Sequence, residues 1–258
     1  MSRRFAIAAL ALGIALAAAG AVAVAISQVG TAGADVLVGT DKPDALWGED
    51  GDDHMTGLAG NDYMEGGPGN DWIDAGPGDD LVLGGSGADK IRLGDGNDVA
   101  YAGPDDDEVL GEAGNDVLLG QPGSDRLYGG PGNDRIYTGG PSPGGADYAD
   151  GGTGNDQIFA DAGTSTLAGG TGNDRIVGIG GDFTVDAGSG NDRVSTGDGN
   201  DKVTAGSGRD KISTGGGNDN VDVADGERDV VDCGAGSDKV RADAQDVLHH
   251  CEHVTIVK

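Results

Sequence analysis

The chain has 258 residues, with 45 acidic against 16 basic side chains and a formal net charge of −29 at pH 7. Glycine contributes 53 residues and aromatics 4%, too little apolar bulk for a conventional globular core and too much negative charge for a nucleic-acid partner. No H-E-x-x-H, G-x-S-x-G, P-loop or EF-hand loop occurs, so the reading is of a non-enzyme.

At the N-terminus, Met1 to Arg4 is basic, Phe5 to Ile26 is apolar, and small residues follow. This is the layout of a secretory signal over residues 1–34, with cleavage after Ala25 (AVA) or Ala34 (AGA). The apolar run is also long enough to cross a bilayer as an uncleaved anchor, and only then would the protein associate with a membrane. Either alternative places the rest outside the cytosol, secreted or at the cell surface.

From Gly30 the chain repeats every nine residues as G-G-x-G-x-D-x-U-x, with U apolar. A first array, 30–137, puts Asp35, Asp44, Asp53, Asp62, Asp71, Asp80, Asp89, Asp98, Asp107, Asp116, Asp125 and Asp134 in the sixth position. Residues 138–141 interrupt it. A second array, 142–241, carries Asp147, Asp156, Asp174, Asp192, Asp201, Asp210 and Asp219 in the same place, then a ten-residue unit from Val223, then Asp238 in the unit beginning at Cys233. Ser165 and Phe183 stand where two further aspartates are due.

Glycine in the turn permits positive φ and lets successive carbonyls point into one concavity, which the aspartate closes; a hard dication seeks such oxygens. The last three residues of each unit suit a short strand, the eighth residue inward and the seventh and ninth outward. Two units make a coil of turn, strand, turn, strand. The predicted fold is all-β, a right-handed parallel β-roll with two sheets back to back, roughly 50 Å long at the usual strand spacing.

The pattern resembles the RTX, or haemolysin-type, calcium-binding repeat family over nearly all of the chain after residue 29. The resemblance implies multiple Ca²⁺ ions between equivalent turns of adjacent coils, held by loop carbonyls and by aspartates eighteen residues apart, Asp53 with Asp71 and Asp62 with Asp80. It also implies local loss of calcium on the edge carrying Ser165 and Phe183. About sixteen Ca²⁺ would neutralise the exported chain. Without metal, carboxylate repulsion and a thin core predict disorder.

Cys233 and Cys251 lie eighteen residues apart, one coil, a spacing compatible with a disulfide in an exported protein. Residues 242–258 lose the glycine motif and read as a C-terminal cap. His249, His250 and His253 sit there as a solvated cluster without metal-ligand spacing.

On alternate units the ninth position exposes Leu83, Tyr101, Leu119, Tyr137, Phe159 and Val177, flanked at the seventh by Tyr63, Leu81, Val99 and Val117. The opposite face carries Asp74, Lys90, Arg92, Glu108 and Arg126. The apolar column reads either as cross-strand packing or as a docking surface for a cell-envelope component or a second copy, as in an adhesin.

Overall fold

In the computed structural model, which describes residues 26–139, 145–161 and 163–257, each repeat supplies one strand and the chain alternates between two sheets. Each sheet has thirteen parallel strands, consecutive neighbours in a sheet being alternate strands in sequence. Leu81 pairs with Val99 and Val99 with Val117, a step of one eighteen-residue coil. The fold is the expected all-β parallel roll. The N-terminal signal segment lies outside the described residues up to Ala25.

The eighth-position side chains form the core. Ile73, Val82, Val109, Leu118, Leu127, Ile136 and Ile158 have no solvent exposure. Among the described residues non-glycine first positions also face inward: Ala75, Leu93, Ala102 and Ala187 are fully buried. The core is therefore richer than one apolar residue per repeat, because the turn brings its first residue back over the preceding strand.

Turn geometry is enforced by stacking as well as by composition. Gly67 and Gly69, at the second and fourth positions, adopt φ of 106° and 156°. Glu49, Leu58, Glu112 and Gln121 occupy second positions as non-glycines and still take φ of 74°, 77°, 68° and 72°. Such residues pay a conformational cost that the neighbouring coils must offset.

The four-residue interruption is absorbed without breaking either sheet. Arg126 pairs with Tyr148 and Arg135 with Gln157, and Thr138 takes a buried first position. Residues 140–144 lie outside the described residues. At the N-terminal end the roll begins before Gly30, since Ser27–Val29 pairs with Ala45–Trp47. At the other end Val247–His249 and His253–Ile256 add one strand to each sheet. The segment expected as a cap is thus a further coil without glycine turns, tied to the preceding one by a Cys233–Cys251 disulfide with Cα atoms 5.3 Å apart.

The ninth-position column is continuous: Leu83, Tyr101, Leu119, Tyr137, Phe159 and Val177 pair in that order along one sheet. Tyr137 and Phe159 stack at 5.0 Å across the interruption. Two expectations for the faces need correction. Tyr63 is only 3% exposed, because Trp47 covers its ring and its hydroxyl donates to Glu65 Oε2 at 2.8 Å. The opposite face is not uniformly charged: beside the Arg92–Glu112 ion pair it carries stacked His54 and Trp72, and Tyr128 against Tyr148.

Candidate metal centre

The sixth-position aspartates stand at the ends of the strands, where the chain leaves the glycine turn, and they form one ladder along each edge of the roll. In each ladder the backbone N–H of one aspartate donates to Oδ1 of the aspartate one coil later. Asp53 donates to Asp71 and Asp71 to Asp89, both at 2.8 Å. On the other edge Asp62 donates to Asp80 and Asp80 to Asp98, both at 2.7 Å. Both ladders cross the interruption, through Asp125 to Asp147 at 3.0 Å and Asp134 to Asp156 at 2.7 Å.

This arrangement uses only half of each carboxylate. Among the described residues, eighteen aspartates have a buried Oδ2 with no hydrogen-bond partner. Seventeen are residues expected from the repeat, from Asp53 to Asp134, then Asp156, Asp174, Asp192, Asp201, Asp210, Asp219 and Asp238; the eighteenth is Asp229. A buried, unpaired carboxylate oxygen is costly, and eighteen of them in files along the two edges suit a cation.

The surrounding backbone supplies further oxygens. At Gly48 and Gly66, first-position glycines, a β-carbon would collide with Oδ2 of Asp53 and Asp71 and with the carbonyl oxygens of Gly66 and Gly84 in the next coil. At Gly67, Gly69, Gly85 and Gly87 it would collide with the carbonyl of the equivalent residue in the preceding coil. Carbonyls of stacked turns therefore point along the roll axis into the spaces between coils. Carboxylate and carbonyl oxygens are the donors a hard dication such as Ca²⁺ takes. Among the described residues no three acidic, histidine or cysteine side chains converge to hold a metal by themselves.

Electrostatics reports the same frustration. Burial pushes the carboxyls of Asp80 and Asp107 up to about 8, with repulsion from neighbouring aspartates adding to it and the N–H bond from the previous coil opposing it. Asp89, Asp98, Asp125 and Asp134 rise to about 7 for the same first cause. Metal-free, these groups resist ionising at neutral pH.

Three expected aspartates differ. Oδ2 of Asp35 and Asp44 accepts from the N–H and hydroxyl of Thr31 and Thr40, which replace second-position glycines. Asp147 has Ser165 Oγ within 3.4 Å of Oδ2. At the two positions lacking aspartate, Ser165 and Phe183 are both buried. His250 Nδ1 lies 2.8 Å from Asp232 and His253 Nε2 lies 3.2 Å from Ser237, so these rings pair locally.

The repeat register missed Asp229. The unit from Val223 has ten residues, and counting by nine puts Arg228 in the sixth position. Asp210 N–H nevertheless donates to Asp229 Oδ1 at 2.8 Å. Asp246 and Glu252 likewise enter the ladders beyond the motif, accepting from Asp229 at 3.0 Å and Asp238 at 3.1 Å. An acid just before a strand is the signal that finds all three.

No curated protein matches this chain. The profile of the RTX calcium-binding nonapeptide repeat (4 copies) matches residues 29–64, 56–91, 83–118, 110–140, 144–176, 161–194, 186–221 and 195–230, which is most of the chain. With its buried aspartate ladders and stacked glycine turns, the protein belongs to the RTX calcium-binding repeat family.

Proposed function

We propose that this is an exported, non-catalytic module whose activity is to bind many Ca²⁺ ions and become rigid on doing so. The observation that carries the reading is the file of buried, partnerless Oδ2 atoms along both edges. Bound calcium would supply the positive charge that these oxygens lack. Asp53, Asp62 and their equivalents would hold it with the turn carbonyls, while Oδ1 keeps the coils in register. Export follows from the N-terminal segment, and an oxidised Cys233–Cys251 pair agrees with it. Cleavage after Ala25 leaves Ser27–Val29 in the first coil, whereas cleavage after Ala34 removes that strand; the former is favoured.

The test is circular dichroism of the mature chain during a calcium titration in chelator-treated buffer. A cooperative gain of β signal is expected. A native β spectrum in excess EDTA at about pH 8, where the ladder carboxyls ionise, would sink the proposal.

A second reading is extracellular recognition, an adhesin or envelope-binding role for the apolar column. It is favoured by the unbroken pairing from Leu83 to Val177 and by Tyr101 and Tyr137 being 39% and 38% exposed. Either self-association or binding to envelope material would be its expression.

A further inference from the structure

Strand pairing places three residues outside the motif in the structural position of the sixth aspartate. Val230 pairs with Lys211, Val247 with Val230, and His253 with Lys239. The residues just before those strands are Asp229, Asp246 and Glu252. All three accept the ladder hydrogen bond from the previous coil, yet they differ in what remains free. Asp229 has no solvent exposure and its Oδ2 is partnerless. Asp246 has both oxygens occupied, Oδ1 by Asp229 N–H at 3.0 Å and Oδ2 by Asp243 N–H at 2.6 Å. Glu252 is exposed and lies on a coil that lacks turn glycines.

We infer that Asp229, one residue out of the repeat register, is a calcium-binding residue with Asp210, and that Asp246 and Glu252 close the ladders by hydrogen bonding alone. The inference rests on the calcium reading above and adds where the array stops. The extra residue in the turn is accommodated because Asp225 supplies a side-chain oxygen to Gly208 N–H at 2.8 Å, where other coils use a turn carbonyl, as Gly69 N–H uses Ser86. The strand after the turn thereby returns to register with Asp229 in place.

The alternative is that Asp229 is a buried acid without a metal. The two cases differ in sign. Replacing an uncompensated buried carboxylate by the isosteric amide relieves a desolvation cost and leaves folding equal or easier. Replacing a calcium ligand makes folding need more calcium.

The experiment compares Asp229→Asn, Asp71→Asn, Asp246→Asn and the charge-matched Glu227→Gln in the mature oxidised chain. It reads the calcium midpoint by circular dichroism and the bound calcium by equilibrium dialysis. Asp229→Asn should raise the midpoint severalfold, as Asp71→Asn does, and lose at least one bound ion. Glu227→Gln and Asp246→Asn should leave the ion count unchanged. If Asp229→Asn matches Glu227→Gln while Asp71→Asn is shifted, the assignment of Asp229 fails and the general reading stands. If Asp71→Asn is also unshifted, the calcium reading itself fails. Should Asp229→Asn not fold at saturating calcium, Asp229→Glu decides: folding restored by the longer carboxylate supports the ligand role, and equal failure assigns the loss to packing and overturns it.

Discussion

The ring of Phe183 lies against the α-carbon of Gly178, so that a β-carbon there would collide with the ring. In the units beginning at Gly48, Gly66 and Gly120 the corresponding place is taken by Oδ2 of Asp53, Asp71 and Asp125. An apolar ring has replaced a buried, unpartnered carboxylate oxygen, and with 1% exposure it is among the largest fully buried side chains. The backbone ladder resumes at once, Phe183 N–H donating to Asp201 Oδ1 at 2.8 Å. Hydrophobic burial does at this coil what the proposed ions would do elsewhere on the edge.

Phe183→Ala should therefore destabilise the calcium-bound roll by about 3–5 kcal/mol, the usual cost of emptying a buried phenylalanine site. Chemical denaturation at saturating calcium measures it. The number of bound ions should not change, and a lower count would mean that calcium does bind at this level.

Asp71→Asn should weaken calcium-induced folding far more than Asp150→Asn. Asp71 has a buried unpaired Oδ2, whereas Asp150 is a half-buried ninth-position residue that accepts from Tyr148 at 3.3 Å. Both changes remove one charge, and loss of a buried ionic partner costs about 3 kcal/mol. Equal shifts in the calcium midpoint would show that bulk charge, not coordination, controls folding.

The raised carboxyls fix the direction of the pH response. With Asp80 and Asp107 near 8 and Asp62 and Asp71 near 6 in the folded metal-free roll, the folded state holds more protons than the unfolded chain above the ordinary aspartate range. Its stability is greatest below about pH 4 and is lost as pH rises through about 6–8. In EDTA the β signal should be stronger at about pH 5 than at about pH 8, whereas the calcium needed for folding should fall as pH rises, since the metal takes the ionised form. A β signal that grows with pH in chelator would contradict the buried ladder.

Reduction of the Cys233–Cys251 bridge should destabilise the C-terminal coil by about 3 kcal/mol, the chain-entropy value for a loop of this length. Calcium should still fold the reduced chain, at a higher midpoint, because the ladders from Asp53 to Asp174 lie elsewhere. Mass spectrometry of exported protein should find no free thiol; two free thiols would remove the staple.

Replacing Tyr101, Leu119 and Tyr137 together by Thr retains strand-compatible residues and removes the apolar column. If the column docks a partner, calcium folding should stay near wild type while self-association or envelope binding falls in sedimentation and pull-down measurements. A shifted calcium midpoint with unchanged association would leave only the packing role.

The nine-residue spacing was sufficient to place the strands of the roll, because a repeat whose units contact only their neighbours converts sequence period directly into spatial register. Ser165 and Phe183 were visible as gaps for the same reason. Asp229 was not, since an inserted residue defeats counting and only hydrogen-bond pairing to Asp210 restores its place. Tyr63 looked exposed from its strand position and is covered, because side-chain size on the adjacent strands, Trp47 above all, decides what solvent reaches. The inward turn of Leu93 and the use of only one oxygen per ladder aspartate likewise depend on how coil stacks on coil, a contact between residues eighteen apart that no single repeat contains.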